Sequence, residues 1–260
     1  TYVGIEDGVP RGVVVGAART KEPKELVSAE HSWLKMIAVT PDFLERGLGD
    51  ELLDKAEASL RDMGFKDIRA TDFAGWQIFP GINVKSEVML QFLLRKGYKK
   101  ASETANYTVD LGGFRIPRMA RDIEQALRED GLSFRIPNTE EKEKIAAWVI
   151  ENFGPIYSYE VTMAFRHIVP GMILAEKEND SVGFCTMSAL ELDWLGPLGV
   201  IDQERKNEIG TVLLHRALWE MKLRGQRTAS ITSESSLSSF SLFPNVANVN
   251  KYWILHKKIS

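Results

Sequence analysis

Cysteine is nearly absent from this chain. Cys185 is the one thiol in 260 residues, which excludes an internal disulfide framework, and no Cys/His pair has the spacing of zinc ligands. Long apolar runs are missing as well. The longest, Ile145 to Ile150, is far short of a membrane span, and no signal peptide is visible. No excess of one charge stands out: 33 Lys plus Arg against 36 Asp plus Glu leave a net charge of -3. The basic surplus of a dedicated nucleic-acid binder is therefore lacking. What is present is 44% hydrophobic and 27% charged residues, enough to bury a real core and long enough for two domains. The expectation is a cytoplasmic two-domain protein with no metal and no nucleic-acid or membrane partner.

Hydrophobic periodicity divides the chain into alternating strands and helices. Gly12 to Ala18 and Trp33 to Val39 are β-branched or apolar runs closed by turn formers, as strands are. Leu48, Leu52, Leu53, Ala56, Leu60 and Met63 recur at helical spacing before Gly64. A short strand is expected at Asp67 to Thr71, a helix around Val88 to Leu93, and a half-buried strand at Ala105 to Leu111. Further on, Asn138 and Glu141 form a capping-box pattern ahead of the helix that carries Ile145 to Ile150. Strands follow at Met172–Ala175, Val182–Met187 and Trp194–Val200. A helix runs from Ile209 to Met221, and a strand covers Thr228–Thr232 ahead of a Ser-rich tract from Ser233 to Ser241. This order implies a layered α/β or α+β fold.

The order also repeats. A shift of 161 positions superimposes Ser32–Asp72 on Asp193–Ser233 without gaps, with nine identities in 41 residues. Composition alone would give roughly two or three. The matches include Trp33/Trp194, Leu34/Leu195, Gly49/Gly210 and Gly64/Gly225, so both glycines and the strand Trp-Leu recur, beyond the Leu and Ala any two amphipathic helices share. Ile78-Phe79-Pro80 against Leu242-Phe243-Pro244 is a second echo. A duplication accounts for this pattern. The expected domains are 1–113 and 132–260, joined by a linker and helix at 114–131.

In each copy a strand ends at Val39 or Val200, and a polar loop leads through glycine into a helix. The loops are Leu44-Glu45-Arg46-Gly47-Leu48-Gly49 and Arg205-Lys206-Asn207-Glu208-Ile209-Gly210. Free backbone N–H groups at a helix N-terminus bind anions, and glycine lets a phosphate come close. Neither a P-loop nor a Rossmann fingerprint is present. With Val39-Thr40-Pro41 before it, the first loop resembles the Arg/Gln-x-x-Gly-x-Gly/Ala signature of the GNAT superfamily of acyl-CoA-dependent N-acetyltransferases. The resemblance covers roughly 10–111 and 131–260. It implies two tandem domains, each a mixed, mostly antiparallel sheet flanked by helices. It also implies acetyl-CoA as co-substrate, with Ile37, Ala38 and Val39 beside the pantetheine and the loop amides on the pyrophosphate. Leu44, Glu45, Arg46, Gly47, Leu48 and Gly49 would form that site in copy one, and Val200, Arg205 and Gly210 in copy two. Copy one has Leu44 where Arg or Gln is expected, and copy two has Glu208 in place of the first glycine. By electrostatics copy one should bind coenzyme A better.

The resemblance further implies an Asn and a general-acid Tyr on a later helix. Asn245 and Tyr252 have that separation, although His256 stands where glycine is expected; copy one offers Ser86 and Leu93. Glu191 and Asp193 are the candidate bases, with Glu30 and His31 as their counterparts, and strand-edge surface charge is the plain alternative for each. Such division of labour is similar to tandem acetyltransferases of the mycothiol synthase kind, with one half inactive. The reading is direct transfer of an acetyl group to a primary amine of a small molecule by a monomer or homodimer. The alternative is a degenerate acyl-CoA sensor or interaction module. Copy one opens at its hairpin with Thr1 and, beside its twin, is expected to lack its first strand and two helices. Copy two in turn is expected to lack a counterpart of Ala105–Leu111.

Overall fold

Alternating burial makes the strands and a 3.6-residue stripe makes the helices. In the structure, a computed structural model, residues 1–21, 27, 30–71, 80–234 and 245–259 are described. The strands are β1 (Tyr2–Glu6), β2 (Val9–Ala17), β3 (His31–Val39), β4 (Asp67–Ala70), β5 (Ile82–Asn83), β6 (Lys99–Asp110), β7 (Leu132–Arg135), β8 (Met172–Lys177), β9 (Asp180–Met187), β10 (Trp194–Val200), β11 (Thr228–Glu234) and β12 (Val246–Lys258). The helices are α1 (Leu48–Asp62), α2 (Glu87–Arg95), α3 (Arg118–Glu129), α4 (Lys142–Phe153), α5 (Pro155–Ala164) and α6 (Ile209–Leu223). Among the described residues no helix is long and apolar enough to cross a membrane.

The chain forms two units. Unit one is Thr1–Ala105 with Lys251–Ser260, and unit two is Asn106–Asn250. This differs from the expected boundaries: α3 belongs to unit two, and the last ten residues belong to unit one. α3 packs on α6 and β7, and the last residues of the chain pair with β4. The chain leaves unit one within β6 and returns to it within β12. Val246–Lys258, expected to close the chain after a helix, is thus a strand and the counterpart of β6 that the sequence reading missed.

In unit one the sheet order is β1-β2-β3-β4-β12-β6, and β5 also pairs with β12. Leu255 of β12 lies opposite Ala70 and Lys258 opposite Asp67. α1 and α2 cover one face, where Val14, Leu34, Leu53, Ile68, Leu93 and Leu255 form the core. Each such fully buried side chain contributes about 1.5–3 kcal/mol. Helix and sheet meet closely: a Cβ on Gly12 would lie 2.8 Å from Leu52 Cδ1. Polar anchors hold the returning strand, with Lys257 Nζ 2.6 Å from the buried Glu57 carboxylate and Arg61 Nε donating to the Ile259 carbonyl at 2.7 Å. On the other face, His31 and His256 each set Nδ1 3.2 Å from one oxygen of Asp67.

In unit two the residues of β6 beyond Asn106 pair next to β11, followed by β10, β9, β8 and β7. α4 and α5 pack through Ile145, Val149, Val161 and Phe165 on Met172, Leu174 and Phe184. The capping box at Asn138 and Glu141 is formed. Glu141 also takes both guanidinium Nη atoms of Arg135, each at 2.7 Å, and that pair holds the Glu141 carboxyl down to about 2. Each unit has the expected class, a mixed sheet flanked by helices. The proposed duplication is visible in the element bounds: shifted by 161, Leu48–Asp62 becomes Ile209–Leu223, and the 3-10 turn Pro41–Arg46 becomes Asp202–Asn207.

Candidate functional site

The site begins where two parallel strands part. β3 pairs with β4 only from His31↔Asp67 to Leu34↔Ala70, ending with the Thr71 N–H on the Leu34 carbonyl at 2.9 Å. On its other side β3 stays paired with β2 as far as Gly12↔Val39. The register shift between Val15↔Met36 and Gly16↔Leu34 leaves Lys35 as an extra residue, and such a bulge bends its strand. Beyond the bulge, Thr40 N–H reaches the Arg11 carbonyl at 2.8 Å. Antiparallel pairs alternate between bonded and non-bonded, so Ala38 bonds to β2 while Ile37 and Val39 turn N–H and C=O to the edge that β4 has left. Among the described residues no strand pairs with this edge, and backbone groups there need a partner.

Unit two repeats this geometry. β10 pairs with β11 at Trp194↔Ser230 and Leu195↔Ile231, the same register after the 161-residue shift. Its bulge spans Gly196 and the cis-linked Pro197, between Leu195↔Met187 and Leu198↔Cys185. Ile201 N–H on the Val182 carbonyl at 3.0 Å sets the same alternation and gives Leu198 and Val200 the open edge.

The loops after these strands are where the copies diverge. Gly47 has φ 80 and ψ 0 and caps α1, and among the described residues, its chain neighbours aside, no atom lies within 4 Å of where its Cβ would be. The first helical bond runs from Glu51 N–H to the Gly47 carbonyl at 3.1 Å, which leaves the amides of the first turn unbonded within the helix. Gly49 sits against Phe92 of α2 and Val39, both 3.7 Å from its Cβ position. Glu208 holds the same left-handed corner in unit two, with φ 55 and ψ 17. A side chain there costs about 1 kcal/mol, and its carboxylate stands at the helix N-terminus that an anion would use.

The expected charge supply differs from the sequence reading. Arg46 does not face the loop as a free cation: its Nη2 is 2.6 Å from Glu6 Oε1 and its guanidinium lies 4.0 Å from the Phe43 ring centroid. Leu44 is 54% exposed, and Glu45 is exposed. Arg205 likewise bonds within its own loop, to the Val200 carbonyl at 3.3 Å and to Asp202 at 3.0 Å. Among the described side chains neither loop offers an unengaged arginine, so what these corners present to an anion is backbone amides.

Two expected catalytic placements also change. Tyr252 lies on β12 in unit one, opposite Asn83, and not on a helix of copy two. Trp253 and Leu255 face the core, so Tyr252 is on the opposite face, three residues past Leu255↔Ala70 and beyond the end of β4. Asn245 is a turn residue with φ 54 whose carbonyl accepts from Asp110 N–H at 3.0 Å. Leu93, aligned with the family's tyrosine in copy one, is fully buried. Asp193 precedes β10 and accepts the Ser230 hydroxyl at 2.7 Å, and Glu191 is exposed nearby. Both stand at the end of β10 opposite its open edge. Trp76 and Phe79, aromatics near the Pro80-Gly81 turn that read either as acceptor-pocket lining or as core, the 242–244 echo and most of the Ser-rich tract lie outside the described residues. α5, which begins after the helix-start signal Gly154-Pro155, is the second of the two helices expected in copy two ahead of its hairpin. Among the described residues no cluster of His, Cys, Asp or Glu is arranged to hold a metal.

The fold is that of the GCN5-related N-acetyltransferases, and its tandem arrangement is similar to a solved tandem member. The Acetyltransferase (GNAT) family model matches residues 1–75, the copy with both loop glycines. No curated protein matches the chain significantly in sequence. Among solved structures, it is similar to the glucosamine N-acetyltransferase region of a fungal multi-domain GH3 β-N-acetylglucosaminidase (TM-score 0.77, 19% identity, 96% of this chain and 32% of that one). It therefore spans about a third of that protein. It is also similar to a GCN5-related N-acetyltransferase from Sphaerobacter thermophilus (0.66, 17%, 97% and 78%). A tandem GNAT protein of the clavulanic acid biosynthesis pathway is a third (0.61, 15%, 99% and 82%).

Proposed function

We propose that the chain is an N-acetyltransferase that moves an acetyl group from acetyl-CoA directly to a primary amine of a small molecule, with acetyl-CoA held by unit one. The observation that carries this reading is the conjunction in unit one of an open β3 edge at Ile37 and Val39, a left-handed Gly47 with empty space at its Cβ, and unbonded α1 amides. That set fits an extended amide chain ending in phosphates. When bound, acetyl-CoA supplies the activated acyl group. Ile37 and Val39 hydrogen-bond its amides and carbonyl, and the amides of Gly47, Leu48 and Gly49 receive phosphate oxygens. Tyr252, level with the open end of the sheet, donates the proton that the leaving thiolate needs. The proton that the amine loses on acetylation passes to solvent water, from which Tyr252 is reprotonated; Glu191 and Asp193, the expected bases, lie in unit two.

Titration calorimetry with acetyl-CoA tests the binding half: one site per chain is expected, and no binding would sink the reading. Thiol release with glucosamine, spermidine and kanamycin tests turnover. Glucosamine comes first because a structural relative carries that substrate in its name. A second reading, an acyl-CoA sensor, is favoured by the burial of Leu93 at the family's tyrosine position. Binding without thiol release from any amine, and no effect of Tyr252→Phe, would select it.

A further inference from the structure

The repeat extends to the hairpin before the bulged strand, and there the copies part. Gly4↔Gly12 and Gly12↔Val39 in unit one match Ala175↔Gly183 and Gly183↔Val200 in unit two. Even the skipped residue corresponds, Arg11 in β2 and Val182 in β9, so β1 is the counterpart of β8. In unit two β8 is closed twice. β7 pairs along its outer edge, with Phe134 opposite Ala175 and Arg135 opposite Leu174. α4 and α5 bury Leu174 and its neighbour Phe184 on the face turned from α6. In unit one β1 ends the sheet order, and among the described residues no strand pairs with its outer edge. Val3 takes the place of Leu174 and is 49% exposed, and Ile5, on the same face, is 64% exposed. Gly4 between them turns to α1, where a Cβ would lie 2.6 Å from Leu48 Cδ1.

A sheet edge with aliphatic side chains beside it pairs with another strand unless charge or proline blocks it. β1 contains no proline, and its one charged residue, Glu6, is paired with Arg46, whose Nη2 is 2.6 Å from Oε1. The sequence of β1 is also complementary to itself. In an antiparallel pair centred on Gly4, Val3 of each copy lies opposite Ile5 of the other, so aliphatics meet aliphatics, and Tyr2 lies opposite Glu6. We propose that the outer edge of β1 is the interface of a homodimer, in which two copies join their β1 strands antiparallel about a two-fold axis at Gly4. The second copy then supplies the strand that β7 supplies in unit two, and the Val3–Ile5 pairs leave water. A two-fold pairing uses the edge of both copies, so assembly stops at two.

The test is sedimentation velocity of the full chain over a dilution series in the micromolar range. A reversible dimer is expected. Ile5→Glu sets a carboxylate opposite Val3 in each of the two pairs and is expected to weaken self-association by a factor on the order of 100. Its far-ultraviolet circular dichroism should match that of the parent, because Ile5 packs on no helix. Ile168→Glu, at a 99%-exposed site in unit two, is expected to leave the dimer intact. A parent that stays monomeric or grows past the dimer would overturn the proposal. So would a dimer that survives Ile5→Glu or is lost with Ile168→Glu. Acetyl-CoA is absent from these runs, so the interface stands or falls apart from the proposed function.

Discussion

The two copies share a scaffold and differ at its working corner. In both, a bulge bends the strand before the loop, the parallel ladder stops after a leucine, Leu34 or Leu195, and a 15-residue helix follows at the same offset. In unit one the left-handed corner is Gly47 with open space around it, and in unit two it is Glu208. The copies also hold their late strand differently. β12 is tied to unit one by the buried Glu57–Lys257 ion pair, whereas β6 in unit two buries Tyr107 and Val109, with Leu111 just past its end. Duplication thus preserved the geometry that opens an edge, while the anion corner, which packing does not need, was free to diverge.

The largest expected effect probes how the late strands are held. Lys257→Ala leaves Glu57 buried without its cation and should destabilise unit one by about 3–5 kcal/mol. Val109→Ala, a smaller apolar loss in unit two, should cost about 1–2 kcal/mol. Denaturant melts would rank the two, and the reverse order would contradict the contrast drawn above. Next comes the loop. Gly47→Glu makes unit one like unit two and should weaken acetyl-CoA binding on the order of 10–100-fold, because a carboxylate then faces the phosphates. Unchanged calorimetric affinity would move the site elsewhere.

Glu160, in α5 of unit two, sharpens the comparison from the other side. Its carboxyl, raised by burial to about 7, makes the folded state bind more protons than the unfolded one. The associated stability is full below the ordinary glutamate range and is lost as pH rises through about 7. Glu160→Gln should therefore raise stability at pH 8 by on the order of 1–3 kcal/mol and have little effect at pH 4. The smallest effect is Glu208→Gly, which relieves the left-handed side chain by about 1 kcal/mol. It should also open a second, weaker acetyl-CoA site in unit two, because among the described residues nothing pairs with the β10 edge beyond Leu195. A stoichiometry that stays at one would show that the loop corner is not what separates the copies.

Helices α1 and α6 were legible because their buried residues recur every three or four positions, and Gly64 and Gly225 end them in left-handed turns. Strand β12 was not legible as a strand. Asn245 and Tyr252 carry a spacing that fits a helix motif, and what makes Val246–Lys258 extended is pairing with β4, nearly 190 residues earlier, at Leu255↔Ala70. The loop glycine was found, but the engagement of Arg46 with Glu6 was not, since nothing local signals a partner forty positions away. Glu160 went unnoticed because its environment is set by how α5 lies on the sheet.

By itself the sequence determined the helices, the hairpin strands, the repeat and the two glycine-type corners. These depend on side-chain period and on backbone preference within a few residues. Only the tertiary structure decided that β6 and β12 cross the unit boundary, that Ile37 and Val39 face an open edge, and that Tyr252 belongs to unit one. Strand partners and register are set by hydrogen bonds between segments far apart in the chain, and burial, which gives Glu160 its character, exists only once those segments have met.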